Sequence, residues 1–483
     1  MNKSDEITNP GGLDFIRLTG VVIGATIASG VFTMSGDLAA GGANTAAVLI
    51  GWGVCGTGML SLALCFYGLS IRKPHLSGGI YSYAKEGFGP FVGFHSAWGY
   101  WISEILADVS FITLLFAALG HLFPIFGEGN NLASVIGGSV IWWITVFFVL
   151  RGVKEATAIN LVVTIAKLIP VFTVILAVIF LRSFRWDVFM GNFWGEPGGM
   201  NLGAQVKATT FTTVWAFTGI EGAVAISGRA KRSGDVGRAT VTSFLCVLAI
   251  YVMISVLSMG VMSRGELAAL GNPPLAGVMR RVVGDWGAVL VNLGVAVSLL
   301  GATLGHTIIA VECPYEAART GAFSRVFSLE NKKGAPVFTT LLTSVIIQIF
   351  LILLYFNRST YQVFYVISSS MIMVPYLLSA LYYLKVVASG DGLGPASRRN
   401  GGEWVVAVAG SIYGVWMLYA AGLINLLVTA LLYAPGIFVY MKGRKERNEP
   451  YFHSLTDWAA LVALLALFAA SAWLLAKGRI NPF

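Results

Sequence analysis

Of the 483 residues only 11% are charged, while 56% are hydrophobic and the mean hydropathy is +0.77. Soluble domains carry about 25% charged residues, and so few charges cannot cover a water-soluble surface of this size. The same composition excludes a disordered chain, a disulfide-stapled secreted scaffold and a nucleic-acid binder. What remains is an all-α polytopic membrane protein.

A helix needs about 20 mostly apolar residues to cross a bilayer. In chain order, candidate spans cover residues 13–33, 45–70, 92–122, 133–150, 158–182, 206–228, 240–262, 286–312, 337–356, 362–386, 404–421, 422–441 and 458–476. This predicts about twelve or thirteen transmembrane helices, the pair flanking Gly422 being joined by a very short connection. The loops are short, so a single membrane domain over residues 1–483 is expected. The polar opening MNKSDEITNPGG is followed by no cleavage site and does not read as a signal peptide. Cys55, Cys65, Cys246 and Cys313 lie in or beside apolar runs without CxxC spacing and read as small packing residues, so no metal site or cofactor is expected.

The net charge of +9 is explained by placement. With the N-terminus inside, 22 of the 32 Lys and Arg residues fall in inner loops and eight in outer ones. The inner set includes Lys3, Arg72, Lys73, Lys154, Arg229, Arg319, Arg398, Arg399 and Arg444, and the outer set Arg185, Arg264 and Arg358. That asymmetry predicts a cytoplasmic N-terminus; the expected location is a plasma membrane, the inner membrane if the cell is bacterial.

Two spans are interrupted in related ways. The first contains Ile23-Gly24-Ala25-Thr26-Ile27-Ala28-Ser29-Gly30, and the sixth Trp215-Ala216-Phe217-Thr218-Gly219-Ile220-Glu221-Gly222. They stand five helices apart, so two five-helix halves, 13–182 and 206–386, would have opposite topology, followed by extra helices over 404–476. Inverted repeats with broken helices have this pattern, although small residues also serve simply for close helix packing. Amides freed at Ser29 and Gly30 suit a carboxylate, and carbonyls freed around Thr218 suit an ammonium group.

Ionisable residues within spans carry the remaining signal. Glu104 and Asp108 are four apart and share a helix face. A central acid costs about 2.5–3.5 kcal/mol on insertion scales, so the pair requires partners: a cationic substrate, a proton, or an internal cation such as Lys167. Lys167 reads first as a fixed charge joining two helices. Glu221 reads as a gate or proton carrier, or as a structural acid at a helix end. His306 has the titration range for proton coupling and can also line a pocket, or be a hydrogen-bonded core residue. Trp215 offers a face to a cation.

Several stretches together resemble the amino acid–polyamine–organocation superfamily and, within it, the arginine/ornithine antiporters of the basic amino acid/polyamine antiporter branch. They include IGATIASGVF (23–32), SGGIYSYAKEGFGPFVGFHSAWGYWIS (77–103), PIFGEGN (124–130), RGVKEA (151–156), TVWAFTGIEGA (213–223), DVGRATV (235–241), SMGVM (258–262) and ENKKGAP (330–336). The resemblance implies two inverted five-helix repeats and alternating-access exchange of an amino acid for a related cation. It implies that Ser29 and Gly30 hold the substrate carboxylate, that the carbonyls of Trp215 and Thr218 hold its α-amino group, and that Trp215 stacks over it. Glu221 would act at a gate, and Lys167 would stand where related symporters place sodium. Thr26 and Ser103 join the candidate lining.

The chain departs from arginine-carrying relatives at Glu104, Asp108 and His306, where those relatives look to have a small residue, an amide and a Trp. Two acids favour a more cationic substrate, so a basic amino acid exchanged for a related amino acid or its decarboxylated amine is the expected function. Histidine–histamine exchange and proton-coupled uptake stay open. A channel is disfavoured by the central breaks, and an enzyme by the lack of HExxH, GxSxG or nucleotide-loop motifs. The expected partners are the small-molecule substrates, the lipid bilayer and a second copy in a homodimer.

Overall fold

The computed structural model describes residues 12–76, 79–151, 153–225, 230–391, 401–452 and 454–480, with the backbone alone for 153–162, 225 and 233. The opening segment with Lys3, residues 77–78 of the 77–103 motif, the side chain of Lys154, and Arg229, Arg398 and Arg399 lie outside the described residues.

The first crossing is broken: one helix spans Phe15–Thr26 and a second Gly30–Ala40. It extends seven residues past the expected end at residue 33, because Met34, Leu38 and Ala39 continue the buried face while Ser35 and Asp37 dilute the hydropathy. The next four crossings are Thr45–Arg72, Pro90–Gly120, Leu132–Arg151 and Val153–Phe180. The sixth starts as Leu202–Ala216 and resumes at Gly222–Ala225. Ser233–Val261, Asp285–Arg319, Val337–Asn357 and Tyr361–Ser389 are the seventh to tenth.

The eleventh and twelfth share one helical stretch, Gly401–Tyr433, interrupted at Gly422 and continued by Gly436–Glu446. Contacts at its two ends show that the chain reverses at Gly422. Glu403 binds Arg72 at 2.5 Å, Tyr419 lies under Lys207 at 4.3 Å near the start of the sixth crossing, and Arg447 donates to the Ala318 carbonyl at 2.7 Å, back beside the first end. Gly422 adopts φ 75°, which favours glycine. Leu455–Ala476 is the last crossing. Eleven stretches are apolar and long enough to cross a membrane; the broken sixth adds one and the reversal at Gly422 another, giving thirteen crossings among the described residues.

Two faces result. At one, Arg72 and Lys73 meet Glu403 and Asp391, Lys85 donates to the Thr320 carbonyl at 2.9 Å, and Lys385 to that of Gly87 at 2.9 Å. At the other, Arg264 binds Glu196 at 2.8 Å, His121 meets the Asn272 carbonyl at 2.8 Å, and Asn44 and Gln205 pair through the Asn44 amide at 3.0 Å. The first is the basic face and the second the far face.

The third crossing, Pro90–Gly120, is apolar on nearly every side and is buried accordingly, packed between the eighth and tenth. It therefore carries Glu104 and Asp108 through the centre of the protein. By contrast Leu455–Ala476 buries only Asp457 and Ser471, as an apolar helix can where lipid is its solvent.

The broken crossings run antiparallel and mesh at their breaks. A Cβ on Gly30 would lie 2.9 Å from Ala216 Cα, and one on Gly219 would lie 2.9 Å from Ala25 Cβ and 3.0 Å from the Ala25 backbone. Gly219 also has φ 96°, outside the range of most L-residues. Gly219→Ala should therefore cost about 1–3 kcal/mol of local strain, beyond any clash. The expected result is a lower unfolding temperature in detergent than for Gly203→Ala, whose added Cβ meets nothing closer than 3.5 Å.

Candidate functional site

A broken helix inside a membrane leaves carbonyls without helical partners, and hydrocarbon supplies none. At the first break four side chains from three other crossings take that place. Lys167 of the fifth donates to the Gly24 carbonyl, and His306 Nε2 of the eighth to Ala25 at 3.1 Å. Tyr251 of the seventh donates to Thr26 at 2.7 Å, and Ser298 of the eighth to Ala28 at 3.1 Å. Beyond the break Gly30 starts a new helix, whose first amides have no partner within it.

The sixth break is wound more tightly. Phe217, Thr218, Ile220 and Gly222 amides each donate three residues back, so residues 214–222 form successive turns in place of an open gap. The Trp215 carbonyl accepts from Thr218 at 3.1 Å, using one of its two lone pairs. Trp215 Nε1 donates to Ser29 Oγ at 2.9 Å, which ties the two breaks together.

Glu104 and Asp108 stand beside this junction, both fully buried. His306 Nδ1 lies 2.6 Å from Glu104 Oε2. The Ala25 carbonyl can only accept, so Nε2 carries a proton, and a further proton is shared between Nδ1 and Glu104. The dyad is therefore neutral overall, either as imidazolium and carboxylate or as imidazole and carboxylic acid. Asp108 Oδ2 accepts from Thr307 at 3.1 Å. Glu104 Oε1 and Asp108 Oδ1 are buried without a hydrogen-bond partner among the described residues. Phe111, one turn beyond Asp108, packs against both Trp215 (ring centroids 5.4 Å) and His306 (4.9 Å). This arrangement sets acceptors suited to a cation and to an ammonium group beside helix-start amides suited to a carboxylate.

The sequence-chosen residues thus divide. Ser29, Gly30, Trp215, Thr218, Glu104, Asp108 and His306 gather at the two breaks. Lys167, one expected partner of the acids, is spent on the first helix, and His306 is the group that pairs with Glu104. Thr26 turns its hydroxyl to the Val22 carbonyl of its own helix at 2.7 Å. Ser103 and Ser368 bind each other reciprocally, Oγ to carbonyl, at 2.9 and 2.8 Å, a tie between the third and tenth crossings. Glu221 sits toward the basic face, held by Tyr100 at 2.9 Å and by Tyr376.

Sequence reading missed Tyr100, Tyr251, Ser298, Thr307 and Tyr376. Tyr100 carried a usable signal, one turn before Glu104 on the same face. The others become visible only once distant crossings are brought together. Tyr251→Phe should leave the Thr26 carbonyl with the Ala28 amide (2.9 Å) as its remaining donor, costing about 0.5–1.5 kcal/mol. The expected result is a fall in thermal stability in detergent, with Tyr419→Phe as a control that leaves it unchanged, since that side chain is exposed and its ring, not its hydroxyl, meets Lys207.

The family described as amino acid permease matches residues 13–439. An arginine/ornithine antiporter of Pseudomonas aeruginosa is 42% identical over 463 residues, covering 94% of this chain and 95% of the relative. A putative arginine/ornithine antiporter of Escherichia coli K12 is 39% identical, covering 96% and 99%. An arginine/agmatine antiporter of Chlamydia trachomatis is 38% identical, covering 95% and 97%. With the match running through both broken crossings and the acid-bearing third, the chain belongs to the amino acid permease family of membrane transporters.

Proposed function

We propose that the protein is an antiporter that exchanges a cationic amino acid, of the arginine, ornithine or lysine type, for a related amino acid or the amine left when its carboxylate is lost. The observation that carries this reading is the buried acid pair beside two helix breaks: Glu104 balanced by His306, and Asp108 with an oxygen free of protein partners. With the dyad neutral, an ionised Asp108 gives the enclosure one net negative charge, matched to one side-chain cation.

The substrate carboxylate would rest on the amides at Ser29 and Gly30, where the new helix begins. The α-ammonium would take the remaining lone pairs of the Trp215 and Thr218 carbonyls, with the Trp215 ring stacked over the substrate. Its side-chain cation would reach Asp108 and Glu104. Lys167 holds a fixed charge where a sodium-coupled relative would bind the ion, which favours exchange without sodium. Glu221, between Tyr100 and Tyr376, closes the route to the basic face. No covalent step is involved. The three relatives named above are described as arginine antiporters, which does not favour the histidine–histamine alternative.

The fold is read as inverted repeats over 13–182 and 206–386 with added helices over 404–476. The basic face is read as cytoplasmic in a bacterial inner membrane. In a variant without the four native cysteines, Glu196→Cys should react with a membrane-impermeant maleimide added to whole cells, and Lys333→Cys should not. The reverse pattern would invert the orientation.

In proteoliposomes loaded with ornithine, labelled arginine should enter by counterflow. Losing a charged hydrogen bond of about 1.5–3 kcal/mol corresponds to roughly ten- to a hundredfold weaker uptake, expected for Asp108→Asn and Glu104→Ala. Glu128→Gln and Glu196→Gln, both away from the enclosure, should stay close to wild type. Equal effects at all four positions would remove the acid pair from recognition. Uptake into empty liposomes driven by a pH gradient alone would favour proton coupling over exchange.

A further inference from the structure

Another acid lies on the same crossing as the first break and has no role in the site just described. Asp37 is eight residues beyond Ser29 in the helix Gly30–Ala40, so it stands about 12 Å nearer the far face. It is half-buried, and it occupies the C-terminal part of its helix, where the dipole disfavours a negative charge. A carboxylate offers about four acceptor positions. Tyr361 OH lies 2.9 Å from Oδ1 and 3.1 Å from Oδ2, and its single proton can serve only one of them. Thr33, one turn earlier on the same helix, and Gln362, beside Tyr361, also turn their side chains to the carboxylate, and all three partners are uncharged. Of the guanidinium groups at this face, Arg264 is engaged by Glu196 at 2.8 Å and by the Ala39 carbonyl at 3.4 Å, Arg185 by Asp187 at 3.3 Å and Arg280 by Asp285 at 2.9 Å.

The position of Asp37 relative to Asp108 follows from the packing of the third and tenth crossings. Ser103 pairs with Ser368, and Ser110 donates to the Tyr361 carbonyl at 3.0 Å. Tyr361 is thus level with Ser110, two residues or about 3 Å beyond Asp108 toward the far face. From Tyr361 a file of rings leads inward. Tyr361 to Tyr365 is 5.9 Å, Tyr365 to Trp215 is 5.4 Å, both pairs tilted by 32°, and Trp215 meets Phe111 beside His306. Carboxylates thus stand at both ends of a short aromatic path, and aromatic faces attract alkylammonium and guanidinium groups, most strongly when water is excluded.

We propose that Asp37 and Tyr361 form an outer waiting site for the substrate's cationic group, an alkylammonium or guanidinium, from which it passes along Tyr365 and Trp215 to Asp108. This rests on the reading of the protein as a cation antiporter with its far face outside. Asp37 acts on entry from the far face alone, and Tyr361 both orders its carboxylate and presents the first ring.

The test is counterflow in proteoliposomes of defined orientation, with arginine varied separately on each side. Asp37→Asn keeps an oxygen for Tyr361 and removes the charge. It should raise the far-side KM about tenfold, equivalent to about 1.4 kcal/mol, and leave the basic-side KM and the maximal rate unchanged. Asp37→Glu should restore the far-side KM, and added salt should raise that KM more in wild type than in Asp37→Asn, since a half-buried charge is still partly screened. If Asp37→Asn proves unstable, the wild-type salt dependence and the Asp37→Glu variant still decide the matter. A far-side KM unchanged in Asp37→Asn, an equal rise on both sides, or a salt-independent wild type would overturn the waiting site and leave a structural tie between two crossings. A wild-type protein that exchanges none of the cations would refute the functional reading itself, an outcome distinct from all of these.

Discussion

The carbonyl groups opened by the break in the first crossing govern much of the interior. A membrane helix satisfies its own backbone, and when it is interrupted every freed acceptor needs a donor from elsewhere. Here Lys167, His306, Tyr251 and Ser298 provide four such donors, drawn from the fifth, seventh and eighth crossings. The arrangement fixes the fifth, seventh and eighth helices around the first. It also divides the break chemically: the carbonyl side is occupied by protein donors, while the amide side, from Gly30 onward, is left to an acceptor. A site built this way discriminates by hydrogen-bond polarity before any substrate side chain is considered.

Charge inside the protein is arranged with the same economy. Glu104 shares a proton with His306, Glu221 is held by two tyrosine hydroxyls, and Lys167 is bound to a backbone oxygen. Asp108, with a single threonine donor, is the least compensated of the central groups. Because isolated charge is so costly in this environment, that difference concentrates electrostatic preference at one carboxylate. His306 joins the two themes, since one ring nitrogen faces the acid of the third crossing and the other the backbone of the first.

Much of the architecture was legible in the sequence because bilayer crossing imposes length and hydropathy on each helix. The spans, the two interruptions and the reversal beside Gly422 could all be read from composition along the chain. The full length of the first crossing could not, because Ser35 and Asp37 mask a helix that continues to Ala40. The acids were found by their rarity, an argument that works only where charge is expensive. Their partners were hidden for a different reason. Glu104 and His306 are 202 residues apart, and Tyr251 is 225 from Thr26, so no local pattern links them. Hydroxyl-bearing residues are also common in membrane helices, where many bond their own backbone, as Thr26 and Ser379 do. That is why Ser103 looked like a lining residue although it serves as a tie, and why Ser298 and Tyr251 passed unnoticed.

The reciprocal fit of Gly30 on Ala216 and of Gly219 on Ala25 limits how the molecule can move. Two interrupted helices that each fill the space beside the other's missing side chain behave like meshed teeth. One cannot tilt by more than a fraction of an ångström without carrying its counterpart, because close-packed interiors switch between discrete arrangements and do not stretch. A tilt that widens the passage on the far side therefore narrows it on the basic side in the same movement. A conformation open at both ends would require pulling the two backbones apart, so the membrane's permeability barrier is preserved by backbone contact as well as by any gate residue.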